Sequence, residues 1–248
     1  MATIGGSNVV TNGLVLALDA ANTKSYISGS TTWNDLSGNN YSGSLVNTPT
    51  FNSTNGGGIL FNGTNQYGNL PISFANVSSS TCAFNLSFSS VDTAVRGIMG
   101  YGNATTTYGC YVRLTSSGDG IPSSGNARLQ FRVLDTGVSV NNTIIGSTNI
   151  TANTNYNIAF VMLPSSYKIY INGVEETLSV FSGLNNGKWV GNGITATSTA
   201  IALGSQFYNN VYQNYFAGIL YTTQIYNRAL SSSEVLQNYN ALKSRFNL

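Results

Sequence analysis

The chain has 248 residues, 42% of them hydrophobic and 11% aromatic, with ten Lys and Arg against eight Asp and Glu for a net charge of +2. That much apolar material excludes an unfolded chain, and cations this few and this scattered exclude the clustered basic footprint of a nucleic-acid-binding protein. Only 7% of residues are charged, so amides and hydroxyls must solvate the surface, and no run approaches the ~20 apolar residues of a membrane span.

The opening segment, MATIGGSNVVTNG, has neither a basic leader nor a long apolar core. It predicts no secretory signal, and synthesis in a cytoplasm is the expectation. Residues 1–12 read as a polar N-terminal arm, and 13–248 as one domain, because no linker, charge run or repeat divides them. Short apolar runs bounded by Gly, Asn and Ser then recur: LVLALDA, GGILFNG, CAFNLSF, RGIMGYG, YGCYVRL, ARLQFRV, YNIAFVML, YKIYINGVEETLSV, TAIALGS and YFAGILYTTQIYN. Many short strands at this spacing predict an all-β, antiparallel sandwich.

In ARLQFRV, Leu129, Phe131 and Val133 should face a core while Arg128, Gln130 and Arg132 face water. Asn172-Gly173 supplies the positive φ of a tight hairpin turn. Cys82 and Cys110 lie in strand-like runs without metal-ligand spacing and read as small buried thiols rather than as a disulfide. The chain ends on IYNRALSSSEVLQNYNALKSRF, in which Ser231 and Glu234 form a capping box with Leu230 and Val235 placed as a staple. Val235, Tyr239, Leu242 and Phe246, with Leu236 beside them, form the apolar face of a short C-terminal helix that must be held by packing on the sandwich.

Carbohydrate recognition combines an exposed aromatic face with directional amides and hydroxyls. Two loops offer both: Tyr208, Asn209, Asn210, Tyr212, Gln213 and Tyr215 in SQFYNNVYQNYF, and Asn185, Asn186 and Trp189 in GLNNGKWVGNG. The same aromatic residues also suit contacts between subunits, so an oligomer or particle-bound form stands beside the sugar reading. Catalysis finds little support. There is no His, and the eight acids (Asp19, Asp35, Asp92, Asp119, Asp135, Glu175, Glu176, Glu234) include no alternating pair on one strand, as two-carboxylate glycan hydrolysis would favour.

The motifs GLVLALDAANTKSYISGSTTWNDLSGNNYSGSLVNTPTF, GGGILFNGTNQYGNL, YKIYINGVEE and FAGILYTTQIYNRALSSSEVLQNYNALK, in this order, resemble the laminin-G-like, concanavalin A-like jelly-roll domains, as found in virion surface proteins of tailed phages. The resemblance implies an antiparallel jelly-roll β-sandwich with Trp33 buried as part of its structural pattern. It implies a non-catalytic virion surface protein, a capsid decoration or fibre component, whose partners are other virion proteins and surface glycans, with no nucleic acid and no membrane insertion. A purely structural or assembly protein is the alternative, and a glycan hydrolase the third reading.

Such domains often carry a structural Ca²⁺, for which Asp19 and Asp35 are the carboxylate donors the resemblance implies, with Asn22 and Asn39 as neighbours. Turn formation by the same Asp and Asn residues is the competing reading, because neither segment spaces its oxygens as a dedicated loop does. At GTNQYG this chain has Gln66 where many relatives carry an acid, which removes any role that acid would play.

Overall fold

The structure, a computed structural model, describes residues 8–72, 77–91, 94–102, 108–115, 127–189, 191–192, 200–208 and 211–248. In chain order the strands are β1 (Leu14–Asp19), β2 (Thr32–Trp33), β3 (Gly43–Val46), β4 (Thr50–Asn52), β5 (Gly58–Asn62), β6 (Tyr67–Leu70), β7 (Ser80–Phe88), β8 (Arg96–Gly102), β9 (Tyr108–Leu114) and β10 (Leu129–Asp135). They continue as β11 (Val140–Gly146), β12 (Asn155–Leu163), β13 (Ser166–Ile171), β14 (Val174–Glu175), β15 (Leu178–Ser182), β16 (Ala200–Leu203), β17 (Gln206–Tyr208), β18 (Val211–Gln213) and β19 (Ala217–Tyr226). Helix α1 (Ser232–Phe246) follows.

One sheet of eight strands has the order β14, β13, β12, β7, β19, β5, β4, with β1 joined to β19; a second, of nine, runs β15, β11, β10, β9, β8, β16, β6, β3, β2. The hairpin of β17 and β18 stands apart from both. Phe84, Leu86 and Phe160 from the first sheet meet Val112, Leu129, Phe131 and Val133 from the second in one core, where the Phe131 and Phe160 rings lie 6.5 Å apart. The core half of the alternation expected in ARLQFRV holds, but on the other face Gln130 is fully buried rather than wet. Trp33 is buried as expected, and Cys82 and Cys110 form no disulfide and are buried thiols lining the same small core void, where burial pushes the Cys82 thiol up to about 12.

β7 breaks the alternation of a half-buried strand, with all nine of its residues buried. Its second face is covered by α1: Ala83, Ala159, Val161, Tyr226, Leu230 and Val235 form a second apolar cluster between helix and sheet. A strand covered on both faces reads as a continuous apolar run for this reason. The helix starts as its sequence specifies, with Ser231 Oγ accepting the Glu234 N–H at 3.3 Å and the Glu234 carboxylate accepting the Ser231 N–H at 2.9 Å. Leu230 and Val235 meet in the cluster beneath it.

The expected apolar face is less regular than the spacing suggests. Leu236 is 44% exposed and Tyr239 and Leu242 only half-buried, whereas a polar residue, Asn238, is buried. Asn238 accepts the Val10 N–H at 2.8 Å and donates to Tyr226 Oη at 3.0 Å, and Tyr226 Oη in turn donates to the Val10 carbonyl. Gln237 holds the Asn8 carbonyl at 2.7 Å, so from Asn8 onward the polar N-terminal segment lies against the protein's own helix. Asn172 and Gly173 take φ of 50° and 79°, the primed turn the dipeptide predicts.

Candidate functional site

Among the described residues the nine-stranded sheet has no helix on its outer face. Part of that face is crossed by the β17–β18 hairpin, which the glycines of β8 admit. A Cβ on Gly100 would stand 2.6 Å from Gln206 Cα, and one on Gly97 would stand 2.9 Å from both Ser205 C and the Asn214 carbonyl oxygen. No side chain fits there, so these two glycines are what lets the hairpin lie flat across the sheet.

On the β6 side of the hairpin, three half-buried tyrosines gather. Tyr212 stacks on Tyr67 with ring centroids 3.9 Å apart, and Tyr215 lies 6.2 Å from Tyr67. Phe207 supports the stack from beneath, 4.8 Å from Tyr212. Tyr212 Oη donates to Asn69 Oδ1 at 2.7 Å, and Tyr215 Oη donates to the Tyr212 carbonyl at 2.9 Å. Burial pushes both hydroxyls above the ordinary phenol range, and the proximity of Tyr67 adds to it, so both remain neutral donors at physiological pH.

On the other side, strands β9, β10, β11 and β15 line a groove of about 150 Å³ with Arg113, Gln130, Arg132, Asn141, Thr143, Phe181 and Ser182. Register explains the company: Gln130 pairs with Arg113, and Arg132 with Thr143, which faces Ser182. Phe181 is the extra residue where the β11–β15 register shifts between Thr143 and Ile144; the bulge re-aims a side chain that is still 46% exposed. Arg113 Nε donates to Gln130 Oε1. Gln130 is fully buried yet its Nε2 has no partner, and the Nε atoms of Arg132 and Arg128 are likewise buried and unpartnered.

The expected site residues divide. Tyr212 and Tyr215 come together with Tyr67 as described, and Gln213 pairs with Gln206 in the hairpin. The Tyr208 side chain and residues Asn209 and Asn210 lie outside the described residues. The second loop is a correction. Trp189 is 1% exposed with its Nε1 donating to the Ser78 carbonyl, so it offers no ring face. Asn185 accepts the Tyr167 N–H and donates to the Tyr167 carbonyl; Asn186 accepts from Asn142 at 2.8 Å. Both amides clamp the loop onto β13 and the core, because a tryptophan beside the core void is better buried than wet.

Neither carboxylate implied for Ca²⁺ fits one. Asp19 holds Arg245 through both oxygens, at 2.6 and 2.7 Å, and accepts the Ala21 N–H. Asp35 accepts from the backbone of Ala17, Ser37 and Tyr41 and from Ser37 Oγ, bonds that together hold its carboxyl below the ordinary range despite its burial. Both are turn and packing residues, with no oxygen turned to a cation. Among the described residues no three of His, Cys, Asp and Glu gather as a metal site. Gln66 closes its loop by accepting the Asn62 N–H and donating to the Asn47 and Thr48 carbonyls.

Sequence reasoning missed Tyr67, Arg113 and Phe181 altogether, and saw Gln130 and Arg132 only as a wet strand face. The signal available was the pair of outward cations in ARLQFRV, which says nothing by itself about the arginine and phenylalanine that strand pairing brings alongside.

Two antiparallel sheets over one core, with a helix closing one outer face and a polar and aromatic surface on the other, define a jelly-roll sandwich. The chain belongs to the concanavalin A-like lectin/glucanase superfamily, whose family model matches residues 61–236. A comparison with curated proteins gives no match. Among solved structures it is similar to the sialidase of Trypanosoma rangeli (TM-score 0.61, 17% identity), covering 96% of this chain but 34% of that one, so it spans about a third of the enzyme. It is similar over nearly full lengths to domain 4 of AbnA, a GH43 extracellular arabinanase from Geobacillus stearothermophilus, solved in complex with arabinotriose (TM-score 0.60, 20% identity, 91% and 98% covered). The binding domain of Paraclostridial Mosquitocidal Protein 1 is a third such fold (TM-score 0.64, 18% identity, 93% and 52% covered). At these identities the likeness is one of fold.

Proposed function

We propose that the chain is a non-catalytic carbohydrate-binding module that uses the outer face of its nine-stranded sheet. The observation that carries this is the tyrosine stack of Tyr67, Tyr212 and Tyr215 beside a polar groove on the uncovered face. A pyranose ring packs its C–H surface on such rings while amides and hydroxyls fix its orientation. The arabinotriose-bound domain of similar fold supports the reading by analogy.

The positions of the described acids support the non-catalytic reading. Among the described residues no carboxylate lines the groove. Of the six acids among the described residues, Asp19 and Glu234 hold arginines, Glu175 holds Lys168 and Tyr170, Glu176 holds Thr148, and Asp35 and Asp135 hold backbone N–H groups in turns. By the resemblance of its sequence motifs to jelly-roll domains of tailed-phage virion proteins, we read this module as a capsid decoration or fibre component on a phage virion surface.

A glycan array probed with the whole chain tests the proposal. Binding is expected, and Tyr212→Ala should weaken it by about tenfold, the scale of one lost aromatic contact with its ordered hydroxyl. A blank array, with Tyr67 and Tyr212 protected from modification only in an oligomer, would give the face to subunit contacts and make the protein a structural one.

A further inference from the structure

Every carbohydrate-like feature of the tyrosine flank is neutral. The groove on the other side of the hairpin is not. Arg132 lines it with neither a hydrogen bond nor an ion pair, and its Nε is buried and unpartnered. Gln130, fully buried at the groove floor, keeps its Oε1 on Arg113 and leaves Nε2 without an acceptor. Arg128, next on the same strand face, repeats the unpartnered Nε. The six described acids are all engaged elsewhere, as set out above.

A row of buried N–H groups with no acceptor is costly, at about 1–3 kcal/mol for each unmet group, and proteins rarely leave several together. Two of these donors, on Gln130 and Arg132, line one groove, and a guanidinium presents its N–H groups as a fork that matches the two oxygens of a carboxylate or sulfate. The rest of the lining argues for a sugar rather than a bare ion. Phe181 offers a half-exposed ring wall, and Asn141, Thr143 and Ser182 offer neutral amides and hydroxyls. At about 150 Å³ the groove is well below the roughly 300–1,000 Å³ of a drug-sized site and admits one ring-sized group.

We infer that this groove is a selectivity subsite for an anionic saccharide, with Arg132 and the Gln130 amide receiving a carboxylate or sulfate and Phe181 packing on the sugar ring. The inference rests on the carbohydrate-binding reading above and deepens it: the tyrosine flank supplies general affinity, the groove the choice of charge. A net charge of +2 gives little long-range attraction, so the preference comes from contact at this groove.

The test uses the whole chain against matched oligosaccharides that are neutral, uronate-bearing or sulfated, with binding measured by titration calorimetry. Wild type is expected to bind one of the two anionic series about 10- to 100-fold more tightly than the neutral one, the scale of a charged hydrogen bond. Arg132→Gln should reduce that ratio to about one, and Tyr212→Ala should weaken both series alike. Which anionic series binds distinguishes carboxylate from sulfate. Equal binding of neutral and anionic sugars by wild type, or a ratio that survives both Arg132→Gln and Gln130→Leu, overturns this inference and leaves the carbohydrate-binding reading standing. Absence of binding to all three overturns both.

Discussion

The two outer faces of this sandwich are made of similar residue types and treat them in opposite ways. On the helix-covered face of the eight-stranded sheet, buried amides form closed sets: Asn157 donates to Asn85 at 3.1 Å, Asn85 to Thr222 at 2.7 Å, and Asn238 joins Val10 to Tyr226. On the nine-stranded sheet, Gln130 and Arg132 carry buried nitrogens with no partner, as do Arg128 just before β10 and Gln206 in the hairpin that crosses the sheet. The first face is covered by α1 and residues from Asn8 onward, and its amides satisfy one another because nothing else can. The second is covered, among the described residues, by a two-stranded hairpin. Unmet donors there mark a surface that an external acceptor can complete, and met donors mark one that is already finished.

If that contrast is right, damage to the covered face should read out as stability and damage to the open face as binding. The largest effect is expected at Phe246, which is wholly buried with its ring 5.1 Å from that of Tyr221. Phe246→Ala should lower unfolding free energy by about 3–5 kcal/mol in denaturant titration, because the cavity is sealed beneath the last turn of the helix. Sugar binding per folded molecule should not change.

Next comes Gly100→Val, which attacks the open face through its scaffold. The new side chain meets the Gln206 backbone, which cannot give as a flexible side-chain end can, so the hairpin must lift. The stability cost should be about 1–3 kcal/mol, yet binding should be lost and the near-ultraviolet tyrosine signal altered. A variant that binds normally would show that the hairpin does not organise the site.

Ser231→Ala removes the cap of α1 and should cost about 1 kcal/mol. The same cap gives the covered face its pH dependence. Arg228 first, and then the Ser231 backbone N–H, hold the Glu234 carboxyl at about 2 instead of 4.5. Because the folded state lowers that value, the stability Glu234 contributes is complete above about pH 4.5 and drains away as pH falls toward 2. Denaturation midpoints followed from pH 6 to 2 should fall more steeply in wild type than in Glu234→Gln.

The helix, its cap and the Asn172-Gly173 turn were legible in the sequence because each depends on neighbours a few residues apart. So was the core face of ARLQFRV, which period-two alternation specifies. Tyr212 and Tyr215 were legible as site candidates by residue type alone. Trp189 was misread because type does not say whether a loop ring turns inward; that depends on the void beside Cys82 and Cys110 and on the distant Ser78 carbonyl. The groove was illegible for a related reason. Arg113, Gln130 and Phe181 are brought together by the pairing of β9, β10, β11 and β15 and by one bulge, and register between distant strands is not written in any local pattern.

The smallest effect on stability is expected where the functional consequence is most specific. The Arg132 side chain makes no hydrogen bond or ion pair with the described residues, so Arg132→Gln breaks no polar contact and removes a buried unpartnered Nε–H. Truncating a residue from a satisfied network leaves its partner stranded, whereas here there is no partner to strand. The change in unfolding free energy should stay within about 0.5 kcal/mol of wild type, or favour the variant. A loss of several kcal/mol would mean that Arg132 is held by the fold after all, and the opposition between a finished and an unfinished face would not survive it. An unchanged or improved stability would mean that the sequence keeps an arginine there at no benefit to folding, which is what a residue kept for an external ligand looks like.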